Sequence, residues 1–174
     1  NDVAIFTDSG STLFDKVPRT ISMPRSYALA PGSSGNAVYI DGVAVTGSGA
    51  LMSVQNGRLA GLAKVRDEIA VSYQRQIDEL ARGFIEAFAE ADQSAAPSLP
   101  DIPGLFTYSG ASTVPPSGSL VDGLAGAIKI NPNVDPSTGG NFRLLRDGSI
   151  GDPGNPAYTY NASGATGFAT RILG

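Results

Sequence analysis

The chain contains no histidine, no cysteine and no tryptophan. Lacking these, it has no disulfide framework, thiol nucleophile, imidazole base or zinc site of the usual kind. Positive charge is thin as well. Twelve Lys and Arg against sixteen Asp and Glu leave a net charge of −4. The basic residues are scattered, without the aromatic interleaving of a nucleic-acid surface. No run of 18 apolar residues is present to span a membrane. There is no initial Met and no signal peptide, so the chain is expected to be a segment of a longer protein. What is plentiful is Gly and Pro, 22 and 12 in 174 residues, which implies many turns around one domain or two small ones.

Against that background one stretch is different. Over residues 56–92 the large apolar side chains Leu59, Leu62, Val65, Ile69, Tyr73, Ile77, Leu80, Phe84 and Phe88 recur at an average step of about 3.6, the repeat of an α-helix. A helix of that span is roughly 54 Å long. Glu68, Glu79, Glu86 and Glu90, the only glutamates, all fall within it. Asn56 is a suitable N-cap and Pro97 a stop. Arg82 can pair with Asp78 and Glu86, four residues to either side. The stripe of Leu62, Val65, Ile69, Ile77, Leu80 and Phe84 is expected to be covered, by this chain's own core or by helices of a larger protein. Gly83, which costs about 1 kcal/mol relative to Ala in mid-helix, is expected to mark the close approach of another backbone.

The rest reads as short strands. Residues 3–7 and 12–15 form one candidate hairpin. Residues 38–45 form a clearer one, because Asp41-Gly42 suits a type I′ turn that sets Ile40 against Val43 and Val38 against Val45. Further short strands are expected at 105–109, 127–131 and near 158–160, and a last helix over 167–173. The fold class is α+β: a hairpin-rich segment (1–55), the helix (56–93), and a loop-rich segment (94–174) packing with the first as one β-rich unit.

Candidate chemistry is sparse. Asp67-Glu68 and Asp78-Glu79 are adjacent on a helix and diverge by about 100°, so they read as a solvated face and not as paired catalytic acids. Asn131, Asn133 and Asp135 fall at calcium-loop positions 1, 3 and 5. Pro136 and Phe142 then stand where Gly and Glu belong. Gly47-Ser48-Gly49 lacks the lysine of a phosphate loop, and neither Lys16, Lys64 nor Lys129 supplies it. Asn161-Ala162-Ser163 is a formal glycosylation sequon. No catalytic, cofactor or metal residue is assigned, and no enzyme activity is expected.

The helix carries a resemblance. Gly57, Leu59, Gly61, Leu62, Arg66, Asp67, Gln76, Asp78, Leu80, Ala81, Ala87 and Phe88 fit the pattern of the flagellar hook-associated protein 1 family, the hook–filament junction proteins. PGLFT at 103–107, IKINPNVDPS at 128–137, FRLLRDG at 142–148 and the opening VAIFTDSGSTLFD resemble further segments of that family in the same order. The family usually places Asn soon after Ala-Phe, where this chain has Ala89-Glu90-Ala91-Asp92. The resemblance implies a central segment without the terminal coiled-coil helices that polymerise family members. It also implies an extracellular, structural role at the junction, reached through the flagellar export apparatus. Implied partners are hook protein, a second junction protein, neighbouring copies, and an export chaperone on the C-terminal part. The isolated segment is expected to be a soluble monomer. Another axial protein such as hook protein, or a β-rich adhesion module stacking glycans on its tyrosines, is the alternative.

Overall fold

The computed structural model describes residues 3–109, 112–160 and 167–173, apart from the side chain of Ala169. It is α+β, with short antiparallel strands in small sheets and one long helix. The chain divides into two units, Asn1–Arg75 and Gln76–Gly174, and the division falls inside the long helix, not at either end of it.

In the first unit, β1 (Ala4–Phe6), β2 (Thr12–Asp15) and β3 (Val17–Pro18) make one sheet. β4 (Ile21–Ser22), β5 (Tyr39–Ile40) and β6 (Val43–Ala44) make another. The β5–β6 hairpin has the expected register: Ile40 faces Val43, and the Val45 N–H donates to the Val38 carbonyl at 2.8 Å. Asp41 and Gly42 hold φ of 48° and 82°, the left-handed pair of a type I′ turn. Val38, Ile40 and Val45 are buried with Leu13 and Val54 packed on them, while Val43 stays about half exposed.

The long helix runs as α1 (Gly57–Lys64), a π-helical turn (Val65–Ile69) and α2 (Ala70–Ala87). It is shorter than the periodicity implied, ending ten residues before Pro97. Phe88 and Ala89 keep helical hydrogen bonds, but Glu90 then pairs as an antiparallel bridge with Ile102, its N–H and carbonyl both at 2.9 Å. Tertiary pairing, not proline, ends the helix. Asn56 occupies the N-cap position without capping: its side-chain amide donates to Asp8 Oδ2 at 2.9 Å.

In the second unit, β7 (Phe106–Thr107) pairs with β8 (Lys129–Ile130), so the two expected strands at 105–109 and 127–131 are partners. α3 (Leu124–Ala127) precedes β8, and Leu124 packs with Ala81 and Ile85 of α2. α4 (Leu144–Asp147) and α5 (Phe168–Leu173) pack together, and a second cluster joins Val134, Ile150, Tyr160 and Phe168. Tyr158 lies in a 3-10 turn, with a single bridge between Thr159 and Gly148 in place of a strand. Among the described residues no helix is long and apolar enough to cross a membrane.

Candidate functional site

The helix is turned the opposite way from a hydropathy reading. Asp78, Ala81, Arg82 and Ile85 form the buried face of α2. The apolar stripe is open: Leu62 is 58 % exposed, Tyr73 64 %, Leu80 64 % and Phe84 53 %, with Leu59, Val65, Ile69 and Ile77 also exposed. Nothing in α1 or the π turn is buried. Of the two covers expected for the stripe, this chain's own core is corrected among the described residues, and helices of a larger protein are the other.

Specific polar bonds account for the inversion. Asp78 is 1 % exposed, and its two carboxylate oxygens accept the N–H groups of Gly123 and Ala125, both at 2.8 Å. It thus satisfies donors at the start of α3, which would otherwise be orphaned. Arg82 lies between Glu79 (2.7 Å) and Glu86 (2.8 Å), and the hydrogen bonds it donates to both carboxylates hold its pKa above the ordinary value. The expected Glu86 pairing is present; Glu79 is the second partner, and Asp78 caps α3. Of the four acidic residues read as a solvated face, Asp67 and Asp78 are structural instead.

At the π turn Arg66 and Asp67 form a clasp. Arg66 Nε and Nη2 donate to the two Asp67 oxygens at 2.6 and 2.8 Å. Arg66 Nη2 also donates to the Asn36 carbonyl at 3.0 Å, and Asp67 Oδ1 accepts the Gly35 N–H at 2.8 Å. The Arg66 hydrogen bond holds the Asp67 carboxyl below its usual range against the opposing effect of burial. A Cβ at Gly35 would run into the Arg66 guanidinium, so a larger residue there would displace that end of the arginine from the clasp. The extra residue accommodated by a π turn re-aims side chains along the helix, which places both charged groups toward residues 35–36.

Other family-pattern positions separate cleanly. Gly57 opens the helix at φ 84°. Leu59, Leu62, Gln76, Leu80 and Ala87 are exposed, and Ala81 is buried. Phe88 is half-buried with its ring edge-on to Phe106, centroids 5.1 Å apart. At Gly61 and Gly83 an added Cβ would meet nothing within 4 Å, so among the described residues no backbone approaches the open side of Gly83.

The remaining candidates are absorbed into the structure. Asn131 is buried and donates to the Gly104 carbonyl at 3.0 Å, while Asn133 donates to that of Ile150 at 2.8 Å; both amides pin loops. They line a cleft of about 690 Å³ with Thr107, Lys129, Asn155 and Tyr158, whose hydroxyl is spent on the Pro100 carbonyl at 2.7 Å. Gly47 and Ser48 share a smaller cleft with Lys64, but Asp67 and Glu68 line it too and oppose a phosphate. The sequon at 161–163 lies outside the described residues. No group of three or more carboxylates that could hold a metal occurs among the described residues.

Sequence reasoning missed Glu90. It lies beyond the helix, fully buried, with Oε2 accepting the Gly151 N–H at 2.8 Å and Oε1 without a hydrogen-bond partner among the described residues. Burial pushes its pKa up, against the Gly151 hydrogen bond and the charge of Arg171. Arg171 itself donates to the Ala89 carbonyl near the helix end and lies over the rings of Tyr160 and Phe168. A hydropathy pattern cannot separate a buried glutamate of this kind from the solvated ones upstream.

No protein-family model, curated protein or solved structure matches this chain. The candidate site is therefore the feature that the geometry itself isolates, the uncovered apolar face of the helix.

Proposed function

We propose that the chain is a structural component of the bacterial flagellum, acting at the junction between hook and filament through assembly with neighbouring axial proteins. The observation that carries this reading is the exposed stripe. Five large apolar side chains in the first unit (Leu59, Leu62, Val65, Ile69, Tyr73) and three in the second (Ile77, Leu80, Phe84), each offering roughly 100 Å², present on the order of 500 and 300 Å² of apolar surface in the two units. Exposed patches of that size mark interaction surfaces. In each unit the exposed side chains lie in a row along the helix, an arrangement that favours packing by protein over capture of a small molecule. The motif resemblance supplies the particular assembly, with hook protein, a second junction protein and lateral copies as partners. It also supplies the extracellular location, the export route and the chaperone.

The reading is tested by deleting the gene in the source bacterium. Cells should then carry hooks without attached filaments and shed flagellin into the medium. Normal filaments on the deletion strain would falsify the reading. Restoration should fail when Leu62, Leu80 and Phe84 are replaced by Ser in an otherwise folded protein.

A further inference from the structure

Asn56-Gly57 is the one Asn-Gly pair in the chain, and it stands at the start of the long helix with a side chain that does not cap. Gly57 is the first helical residue, where a backbone N–H has no carbonyl of its own helix to bind. Its φ is 84°, and an added Cβ would meet nothing within 4 Å. Both residues are exposed to water. An asparagine followed by glycine is the pair most prone to spontaneous deamidation, because the next backbone nitrogen, free of a side chain, can reach the side-chain carbonyl carbon.

The chemistry needs only water. The Gly57 nitrogen bonds to Asn56 Cγ and loses its proton to solvent, the Cγ–Nδ2 bond breaks, and ammonia leaves. Water then opens the five-membered imide at either carbonyl, giving aspartate or isoaspartate. In the folded chain two features oppose ring closure. Asn56 is extended, with ψ 166°, whereas the ring needs the Gly57 nitrogen turned toward the side chain. Nδ2 is also held by Asp8 Oδ2 at 2.9 Å, the same oxygen that accepts the Gln55 N–H at 3.0 Å. Asp8 is itself fixed in the turn between β1 and β2. There the Thr7 N–H donates to the Ser11 carbonyl, and Ser9 Oγ donates to the Met52 carbonyl, both at 2.8 Å.

We infer that Asn56 is a deamidation site gated by Asp8: the amide persists while the turn holds it and converts when the helix start opens locally. The product cannot restore the tie. A carboxylate at 56 has no N–H to donate, and it faces the carboxylate of Asp8. Negative charge is favourable at a helix N-terminus, so the lasting change falls on the link between turn and helix and not on the helix itself. The site thus records openings in one direction only. This goes beyond the assembly reading and takes nothing from it.

The test incubates the whole chain in mildly alkaline buffer and follows conversion at position 56 by peptide mapping with mass spectrometry. Conversion in the native chain should be at least about tenfold slower than in the same chain unfolded in urea. Asp8→Ala should close most of that gap while leaving amide exchange in β5 and β6 unchanged. Should Asp8→Ala fail to fold, Asp8→Ser is the milder opening and should accelerate conversion in the same direction. Asn56→Gln should remove the signal, since its longer side chain must close a larger ring. Asn56→Asp, the product made directly, should speed amide exchange over the turn at 7–11 and keep the helical circular dichroism. Equal rates in the native and unfolded chains overturn the inference. So does a folded Asp8 variant that converts no faster than the native chain, or an Asn56→Asp turn that exchanges as the native one does. None of these readouts involves flagella, so this inference and the junction reading fail separately.

Discussion

The same helix is held in two different ways by the two units. In the first unit α1 and the π turn bury no residue, and polar ties hold them: Asp8 to Gln55 and Asn56, Asp67 to Gly35, and Arg66 to Asn36. In the second unit α2 buries Ala81 and Ile85 against Leu124, and Asp78 caps α3 from beneath. Ties of the first kind fix position but contribute little net stability, because each replaces a bond to water. Apolar burial contributes roughly 1.5–3 kcal/mol for each large side chain fully covered. The first half of the helix is thus held with less apolar burial than the second.

The contrast can be broken first at Asp78. Asp78→Ala leaves two N–H groups at α3 unpaired and should destabilise the second unit by about 3 kcal/mol, read as a lowered denaturant midpoint. A smaller loss, about 2 kcal/mol, is expected for Asp67→Ala, and it should be local. Amide exchange should speed up over residues 57–69 and not over 76–87. Global loss of protection would show that the helix is held as one cooperative piece.

Glu90 sharpens the second unit's side of the contrast through its pH dependence. Its folded pKa is raised above 4.5, so the folded chain binds this proton more tightly than the unfolded one. The stabilising contribution is full below about 4.5 and is lost as pH rises through the folded value. Asp67 runs the other way: its folded pKa is lowered, so its contribution is present above about 3.9 and lost as pH falls further. Glu90→Gln should therefore flatten the decline of melting temperature on the alkaline side of 4.5, with the variant more stable than the native chain at pH 8. An unchanged pH profile would remove Glu90 from this account.

Gly83→Ala should stabilise the isolated chain by up to about 1 kcal/mol, because the added methyl meets only open space. The smallest effect is expected at Leu80. Leu80→Ser should shift stability by less than about 0.5 kcal/mol, since the side chain is already in water.

These sites also show what a sequence can reveal. The hairpin at 38–45 was legible because turn chemistry and β-branched alternation are local and agree. The long helix was legible as a helix from its repeat. Which face turned inward was not, because hydropathy places Leu80 inside and Asp78 outside. The deciding bonds run from Asp78 to Gly123 and Ala125, some 45 residues away in the chain. The helix end was missed for the same reason, since pairing of Glu90 with Ile102 precedes any effect of Pro97. Arg66-Asp67 was legible as a pattern but not as a clasp, whose partners at 35–36 carry no signal beyond a glycine.

Because the chain has no cysteine, a single Leu80→Cys variant offers a background-free probe of the exposed face. Maleimide labelling should be rapid on the isolated chain. If the chain assembles as proposed, labelling of that thiol in intact flagella carrying the same variant should be at least about tenfold slower. Equal rates in both states would contradict the claim that the helix's apolar face is covered by a protein partner.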